Sequence, residues 1–206
     1  MSNKASIVKT EPLEDREAKW VSLERITWRD RKGQERQWES TKRRTREDSE
    51  CDAIIIFPIL RSTKVHGTRT ILTRQFRPPT GKVCVEFPAG LVDPSEPVEK
   101  TALRELREET GYVGQVRSLA PISFSDPGMS NANLRLAIVD VNEDGEENAH
   151  PKPQLDEGED IEIDLVPLDG LVQTLAEYGE KGNSIDSRLQ AIAYGLALAP
   201  QLTPPE

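Results

Sequence analysis

Cysteine and histidine are scarce in this 206-residue chain, which has two of each. Cys51 and Cys84 both lie in apolar runs, which favours two reduced thiols in the core and leaves a disulfide as the alternative. With His66 and His150 as the whole supply of imidazole, a metal site built on histidine is nearly excluded.

Long apolar runs are also missing. No stretch approaches the roughly 20 apolar residues that a membrane-spanning helix needs. The N-terminal segment lacks the apolar centre of a signal peptide. We therefore expect a soluble protein of the cytoplasm or the nucleus, with no membrane partner.

An excess of positive charge is the third absence. The chain has 27 Lys and Arg against 36 Asp and Glu, a formal net charge of −9. Nucleic-acid binding usually depends on a basic face, so we expect no nucleic-acid partner. The acidic balance fits a site that collects divalent cations, although any acidic surface would share it. The length and a hydrophobic content of 35% fit one globular domain with extensions.

Composition sets an N-terminal β-hairpin apart from the main domain. Two β-like runs, at 20–28 and 35–44, are joined by a turn that contains Gly33. A highly charged link follows them. The predicted organisation is a flexible tail at 1–18, a hairpin subdomain at 19–48, the main domain at 49–200 and a short tail at 201–206.

The main domain interleaves strand and helix patterns. It opens on an apolar run at 52–60 that suits a buried strand. Interleaving of this kind predicts an α/β fold, with a mixed β-sheet sandwiched between helices. The acidic segment 142–160 is predicted to be a long surface loop. Further strands are predicted at 70–76, 83–87, 113–122, 132–141 and 161–166, and helices at 97–110, 168–178 and 184–198.

The helix predicted at 97–110 has clear ends. Pro97 suits the first helical position, where its missing N–H costs nothing, and Gly111 suits the position just after the end. Its apolar stripe is predicted to comprise Val98, Ala102, Leu103 and Leu106.

Three glutamates share one side of this helix. At about 100° per residue, Glu105, Glu108 and Glu109 fall within an arc of roughly 100°. Like charges at these spacings repel, and hard divalent cations such as Mg²⁺ remove the repulsion while also binding phosphates. For the glutamates alone, the competing interpretation is a solvated acidic face balanced by neighbouring Lys and Arg.

A longer pattern surrounds these glutamates. From Gly90 to Tyr112 the chain fits G-x5-E-x7-R-E-U-x-E-E-x-G-U, where U is a bulky apolar residue and Tyr112 in the last position is the one mild departure. This is the Nudix signature, and the chain therefore resembles the Nudix hydrolases. The resemblance implies the Nudix fold and a metal-dependent hydrolysis of the pyrophosphate bond in a nucleoside diphosphate linked to another group.

The resemblance also implies which residues bind the metal. Glu105, Glu108 and Glu109 match the metal-binding glutamates, and the carbonyl of Ala89 matches a further ligand. The cofactor it implies is Mg²⁺, with Mn²⁺ as the alternative. These roles agree with the chemistry, because phosphoanhydride hydrolysis depends on positioning and charge neutralisation more than on covalent catalysis.

Other signature positions carry supporting roles by the same resemblance. Arg104 matches the arginine that orients a signature glutamate, Glu96 a loop glutamate that assists the metal site, and Gly90 the tight turn that opens the loop. A catalytic base is harder to place. Glu159 in the acidic loop aligns best with the family's base, Glu157 is the runner-up, and a merely solvated loop carboxylate stays open.

Flanking segments narrow the substrate. Over residues 19–199 the chain resembles the eukaryotic ADP-sugar pyrophosphatases, which hydrolyse ADP-ribose. The resemblance implies AMP and ribose 5-phosphate as products and a homodimer assembled through the N-terminal hairpin. The shared segments are 19–21 (KWV), 38–40 (WES), 42–43 (KR), 75–79 (QFRPP), 86–90 (EFPAG) and 126–128 (DPG).

The same branch implies an adenine site. Two tryptophans from different subunits enclose the adenine there, and Trp20 and Trp38 match them. Glu39 would accept a hydrogen bond from the adenine amino group. The alternative for each tryptophan is ordinary core packing, and Trp28, which has no match, is interpreted as hairpin or dimer packing.

Four further residues are predicted to bind substrate by this resemblance. Arg43 and Arg77 would neutralise phosphate or bond the ribose, with surface salt bridging as the alternative. Glu86 and Asp126 match positions near the ligand. Two other functions stay open: hydrolysis of other nucleotides, such as oxidised nucleoside di- and triphosphates or dinucleotide coenzymes, and an ADP-ribose binding module without catalysis.

Overall fold

The structure of the chain, a computed structural model, describes residues 5–44 and 49–202. Three helices lie within these residues: α1 (Val98–Thr110), α2 (Leu171–Glu180) and α3 (Ser187–Leu202). Eleven strands lie within them: β1 (Val21–Arg29), β2 (Glu35–Arg43), β3 (Ala53–Arg61), β4 (Arg69–Arg77), β5 (Lys82–Glu86), β6 (Ala89–Leu91), β7 (Gln115–Leu119), β8 (Ser123–Phe124), β9 (Asn133–Asn142), β10 (Ile161–Pro167) and β11 (Ser184–Ile185).

Nine of these strands form one mixed sheet. Its main path runs β11-β5-β4-β3-β9-β7, while β10 pairs with β4, β6 with β3 and β8 with β9. The pairs β3–β9 and β11–β5 are parallel, and the others are antiparallel. The mixed sheet predicted from the sequence is therefore confirmed.

Helices cover both faces of the sheet. Successive side chains of a strand point to opposite faces. In β3, Ile54 and Ile56 accordingly pack in the cluster that contains α1 residues, and Ile55 and Phe57 pack in the cluster that contains α2 and α3 residues. The sandwich of helices around the sheet is confirmed, and β3 lies at its centre.

The predicted elements differ from the observed ones mainly at short strands. Strands β6, β8 and β11 were not predicted, because two or three residues are too few to show a period of two. The helix predicted from residue 184 begins at Ser187, since residues 184 and 185 pair with β5. The strand predicted at 113–122 is reduced to β7, and the acidic segment after β9 has no long element before β10, as expected.

The N-terminal hairpin forms a separate two-stranded sheet. Strands β1 and β2 pair over their whole length, from Val21 opposite Arg43 to Arg29 opposite Glu35. None of their side chains is buried. The hairpin meets the main domain through Thr41, whose N–H donates to the carbonyl of Met129 at 2.8 Å, and which forms a β-bridge with Ser130.

Two further sequence expectations concern the core and membranes. Cys51 and Cys84 are both buried, as expected, and are not joined by a disulfide. Across residues 5–44 and 49–202, none of the helices is long and apolar enough to cross a membrane.

Candidate active site

Helix α1 is positioned by its two ends. Gly111 ends it in the left-handed region, with φ 76°, and its N–H donates to the carbonyl of Arg107 at 2.8 Å. A residue with a side chain is strained in that conformation, which explains the glycine. Pro97 has extended backbone and lies one position before the first helical residue, Val98, so its prediction as the first helical residue was off by one.

The buried face of α1 differs from the predicted stripe at one position. Val98, Ala102 and Leu106 are buried as predicted, but Leu103 is 36% exposed. Leu103 lies about 100° beyond Ala102 around the helix, at the edge of the buried arc. Glu109 takes part in the buried face instead and is only 7% exposed.

Glu109 is held beneath strand β6. The backbone N–H of Ala89 donates to its Oε2 at 3.0 Å. Burial raises the pKa of Glu109 to about 8, and the nearby carboxylates of Glu105 and Glu159 act in the same direction. Burial also raises the pKa of Glu105. Both glutamates therefore lie where a cation would stabilise their ionised forms.

Gly90 allows the close approach of Glu105. A Cβ at position 90 would lie 1.9 Å from the carboxylate carbon of Glu105, far inside contact distance. Gly90 is part of strand β6 and its φ is not positive. The tight turn expected at Gly90 is therefore wrong, and the glycine is required because a carboxylate packs directly against its backbone.

Arg104 joins three carboxylates. Its Nη1 donates to Glu105 Oε1 at 2.8 Å and to Glu108 Oε2 at 2.9 Å, and its Nη2 donates to Glu96 Oε2 at 3.0 Å. Glu96 also accepts the hydroxyl of Thr101 at 2.8 Å. The hydrogen bonds from Arg104 hold the pKa of Glu96 below its usual range. This network fixes the loop before α1 against the helix.

The glutamates open into a cavity of about 590 Å³. One side is acidic and the other side, formed by β4, β5 and the start of α3, carries arginines. Nine of the residues predicted from the sequence line this cavity: Arg43, Arg77, Glu86, Ala89, Arg104, Glu105, Glu108, Glu109 and Glu159. Glu157, the runner-up for the base, is not among the lining residues.

Arg77 and Glu86 pair within the cavity. The Nε of Arg77 donates to Glu86 Oε2 at 2.7 Å. Both Nη atoms of Arg77 have no acceptor within the described residues, which leaves them able to bond a ligand. Arg77 therefore forms a salt bridge and also lines the cavity, so both of its alternatives are present.

The remaining predicted residues lie outside the cavity. Trp20 and Trp38 are 69% and 51% exposed, and the indole N–H of Trp38 donates to the carbonyl of Gly128 at 2.8 Å. Glu39, the next residue of β2, is exposed and points to the opposite face of the hairpin. The carbonyl of Asp126 closes the turn that carries Gly128.

Sequence reasoning missed two polar pairs, of which Asp52, Asn133 and Arg188 line the cavity. Asp52 and Asn133 exchange two hydrogen bonds of 2.9 Å, each from a backbone N–H to the other's side chain, which locks the starts of β3 and β9 together. Arg188 is paired with Asp186 at the start of α3. The only signal for the second pair was an Asp at the capping position before a helix, which strand β11 concealed.

Residues 52–186 match the family model of the NUDIX domain. The chain belongs to the Nudix family. This stretch contains the signature helix, the sheet and all of the cavity-lining residues except Arg43 and Arg188.

Three relatives cover most of this Nudix chain. An uncharacterised Nudix hydrolase of Schizosaccharomyces pombe is 44% identical over 94% of this chain and 93% of its own length. The ADP-ribose pyrophosphatase of Saccharomyces cerevisiae is 40% identical, over 91% of this chain and 81% of its own. The ADP-sugar pyrophosphatase of Mus musculus is 42% identical, over 88% and 83%.

A solved structure shows the same fold. The crystal structure of an ADP compounds hydrolase superposes with a TM-score of 0.57 at 18% identity, covering 96% of this chain and 92% of that chain. At that identity the likeness supports the Nudix fold alone.

Proposed function

We propose that this Nudix protein hydrolyses the pyrophosphate bond of ADP-ribose and related ADP-sugars. ADP-ribose would give AMP and ribose 5-phosphate. The observation that carries the proposal is the cavity in which the signature glutamates face free arginine donors. The substrate is supported by the yeast and mouse relatives, which are named for ADP-ribose and ADP-sugars and align with 91% and 88% of the chain.

The glutamates fit a divalent cation by their charge. Glu105 and Glu109 both have raised pKa values because they are buried beside further carboxylates. Glu105, Glu108, Glu109 and the carbonyl of Ala89 would hold Mg²⁺ or Mn²⁺ through the oxygen ligands that hard cations prefer. The cation would supply charge neutralisation and polarisation at the phosphoryl oxygens.

A cation at these glutamates would replace some of the hydrogen bonds that Arg104 donates to them. Within the described residues, no three His, Cys, Asp or Glu side chains converge as a ready-made metal site. Arg104 occupies oxygens of Glu105 and Glu108. Its bonds to Glu96 give the guanidinium a place to remain when a cation takes over those oxygens.

Arg77 and Glu159 would act on the phosphate and the attacking water. Arg77 presents its two free Nη groups, whose fork suits phosphate oxygens. Glu159 lines the cavity, and its Oε2 accepts the N–H of Asp156 at 3.1 Å, which orients it within the acidic loop. As general base it would accept a proton from the water, an effect of about 10²- to 10⁴-fold.

The two tryptophans support a dimer. Trp20 lies beside Arg44 and Trp38 lies opposite Ile26, so about six residues, or about 20 Å of strand, separate them. Stacked rings lie within about 7 Å of each other, so two rings that enclose one base lie within about 14 Å. This separation along one hairpin favours tryptophans from two chains over two from the same chain. Trp20 of one subunit and Trp38 of the other would then enclose the adenine.

The hairpin would therefore be a dimerisation subdomain at 19–48, beside the Nudix domain at 49–200. Glu39, expected to accept from the adenine amino group, lies on the face opposite Trp38 and does not fit that role. Arg43 would bond phosphate or ribose from its place on the cavity wall, and Asp126 would bind substrate from the turn that carries Gly128. The hairpin's exposed apolar side chains support burial by a second copy; they are Trp20, Val21, Leu23, Ile26, Trp28 and Trp38.

The direct test is a substrate panel with product identification. The purified protein should convert ADP-ribose to equal amounts of AMP and ribose 5-phosphate when Mg²⁺ or Mn²⁺ is added, and activity should disappear with a chelator. The panel should include other ADP-sugars, dinucleotide coenzymes and nucleoside triphosphates. A nucleoside triphosphate preferred by kcat/KM would refute the ADP-sugar assignment and leave the Nudix chemistry standing.

A further inference from the structure

Two arginines and two carboxylates lie together at one wall of the cavity. We name Arg77, Glu86, Arg188 and Asp186 the charged row. Arg77 lies at the end of β4 and Glu86 at the end of β5, and Asp186 directly follows β11. Because Ile185 pairs with Val85 in parallel register, Asp186 lies beside Glu86. Three of the four residues, all except Asp186, line the cavity.

Arg188 is held rigidly by Asp186. Its Nε donates to Asp186 Oδ1 at 3.0 Å and to Oδ2 at 3.1 Å, and its Nη2 donates to Oδ2 at 2.5 Å. Asp186 also caps α3, because its Oδ1 accepts the backbone N–H of Arg188 at 2.9 Å and of Leu189 at 3.2 Å. Within the described residues Nη1 of Arg188 has no acceptor, so a fixed donor is left facing the cavity.

Arg188 lies in the first turn of α3, where its charge opposes the helix dipole and Asp186 offsets that cost. A cation in the first turn of a helix opposes the helix dipole, whereas an Asp at the cap is favourable without any arginine beside it. Residues that break a local rule of this kind are concentrated at functional sites. The arginine therefore calls for a role in the cavity that capping does not explain.

The charge of the row selects among possible ligands. Two guanidinium groups and two carboxylates sum to zero, so this wall offers both donors and acceptors. A phosphate at Arg188 would face repulsion from Glu86 and Asp186, which leaves Arg77 as the phosphate donor of the row. A vicinal diol is neutral, and each hydroxyl both donates and accepts, so it matches a carboxylate beside a guanidinium.

We propose that Glu86 and Arg188 form a subsite for the vicinal hydroxyls of a ribose of the substrate, with Asp186 as the positioning residue for Arg188. This inference rests on the proposed function, because it takes ADP-ribose as the ligand. ADP-ribose has two riboses, one in the adenosine and one at the other end. Their shared diol chemistry defines the subsite, and the experiment distinguishes them.

The test combines one substitution with two deoxy substrates. Arg188→Gln should raise KM for ADP-ribose about 10- to 100-fold with a smaller effect on kcat, as expected for loss of a charged hydrogen bond. For the analogue that lacks the bound hydroxyl, wild type and variant should differ by less than about 3-fold. ADP-ribose deoxygenated in the adenosine ribose and ADP-ribose deoxygenated in the terminal ribose serve as the two arms.

Two companion variants separate binding from structure. Arg117→Gln removes an arginine from a similar pair with an aspartate, Asp140, outside the cavity, and should leave KM unchanged. Asp186→Asn keeps a good capping residue but weakens the hold on Arg188, so KM should rise for ADP-ribose and not for the insensitive analogue, at an unchanged Tm.

Each outcome of these assays supports or refutes the ribose subsite. If one deoxy analogue loses its sensitivity to Arg188→Gln, the subsite is supported and the ribose is identified. If Arg188→Gln folds, shown by an unchanged Tm, and KM is unaltered, or if both analogues stay as sensitive as ADP-ribose, the subsite is refuted. Failure of wild-type protein to hydrolyse ADP-ribose would instead refute the proposed function, which the same assays show before any variant is compared.

Discussion

The Nudix domain buries an apolar core within one chain, whereas the N-terminal hairpin leaves its apolar side chains exposed. Every buried apolar side chain in the described residues belongs to the Nudix domain, from Cys51 onward. The hairpin buries none and exposes Trp20, Trp38 and other apolar side chains on a strand pair that touches the domain through few bonds. The Nudix domain therefore has a complete apolar core, and the hairpin has an exposed apolar surface.

This contrast separates chemistry from recognition. The carboxylates, Arg104 and Ala89 are positioned by core elements, because α1 and β6 pack directly on the sheet. The proposed adenine contacts lie on the hairpin and, in the proposed dimer, come from two copies. We therefore expect changes at the carboxylates to reduce kcat and changes at the hairpin tryptophans to raise KM.

The largest effect is expected at Glu109. Glu109→Gln keeps the size of the side chain but removes the charge that a cation would neutralise, so kcat should fall by several orders of magnitude, on the order of 10³-fold or more. Steady-state kinetics with ADP-ribose and Mg²⁺ measure it. Glu99→Gln, on the exposed side of the same helix, is the matched control and should be as active as wild type. Near-normal turnover in Glu109→Gln would contradict the assignment of the active site to α1.

A smaller loss is expected when Gly90 acquires a methyl group. Gly90→Ala would place a Cβ 1.9 Å from the carboxylate carbon of Glu105, which has to move. Displacement by about 1 Å costs on the order of 100-fold in kcat, while Tm should change little because the side chain that moves is flexible. Gly179→Ala, with open space around it in α2, is the control and should be fully active and slightly more stable. Full activity in Gly90→Ala would show that the position of Glu105 is not critical.

The hairpin variants should change a different parameter. Trp20→Ala or Trp38→Ala should raise KM for ADP-ribose about ten- to a hundred-fold, since stacking is worth roughly 1–3 kcal/mol per base, with less effect on kcat. Tyr194→Ala removes an exposed aromatic outside the hairpin and should leave KM near that of wild type. A tryptophan variant that lowers kcat at constant KM would contradict the division of labour between the two regions.

The pKa of Glu109 provides a smaller, metal-free test. Its folded pKa of about 8 lies above the ordinary value of 4.5, so the neutral carboxyl stabilises the fold at low pH. That stability is lost as pH rises through about 8, because the unfolded chain releases the proton earlier. In chelator, Tm of the wild type should fall between pH 5 and pH 9 by on the order of 5 °C more than Tm of Glu109→Gln. Parallel curves would show that Glu109 titrates normally.

Regular elements were predictable from the sequence because their patterns extend over several turns or pleats. The mixed sheet, the two faces of helices, the hairpin and the end of α1 at Gly111 followed from periodicity and capping residues. The short strand β6 did not, because three residues carry no period. The tight turn expected at Gly90 came from the family resemblance, whereas Gly90 lies in that strand.

Site residues were predictable where a motif contained them. The signature and flanking segments placed Arg77, Glu86 and Glu159 as candidates, and the fold brings them to one cavity. Arg188 lies about 80 residues beyond the signature helix, and only the parallel pairing of β11 with β5 brings it there. Long-range pairing of a two-residue strand leaves no local pattern, so no reading of the residues near Arg188 could have found it.

Removal of the hairpin should have the smallest effect on stability. A variant lacking residues 1–46 loses no buried side chain of the described core, and the bonds it breaks are mainly those that Thr41 and Trp38 make with residues 128–131. We expect Tm to change by only a few degrees, about 1 kcal/mol in the free energy of unfolding. Sedimentation should show a monomer, or an aggregating chain if the exposed Phe124 and Met129 associate. Binding of ADP-ribose should be poor in either case, because neither tryptophan is left. A fully active monomer would place the tryptophans outside the site, and a chain that fails to fold would show that the Nudix domain needs its hairpin for stability as well as for recognition.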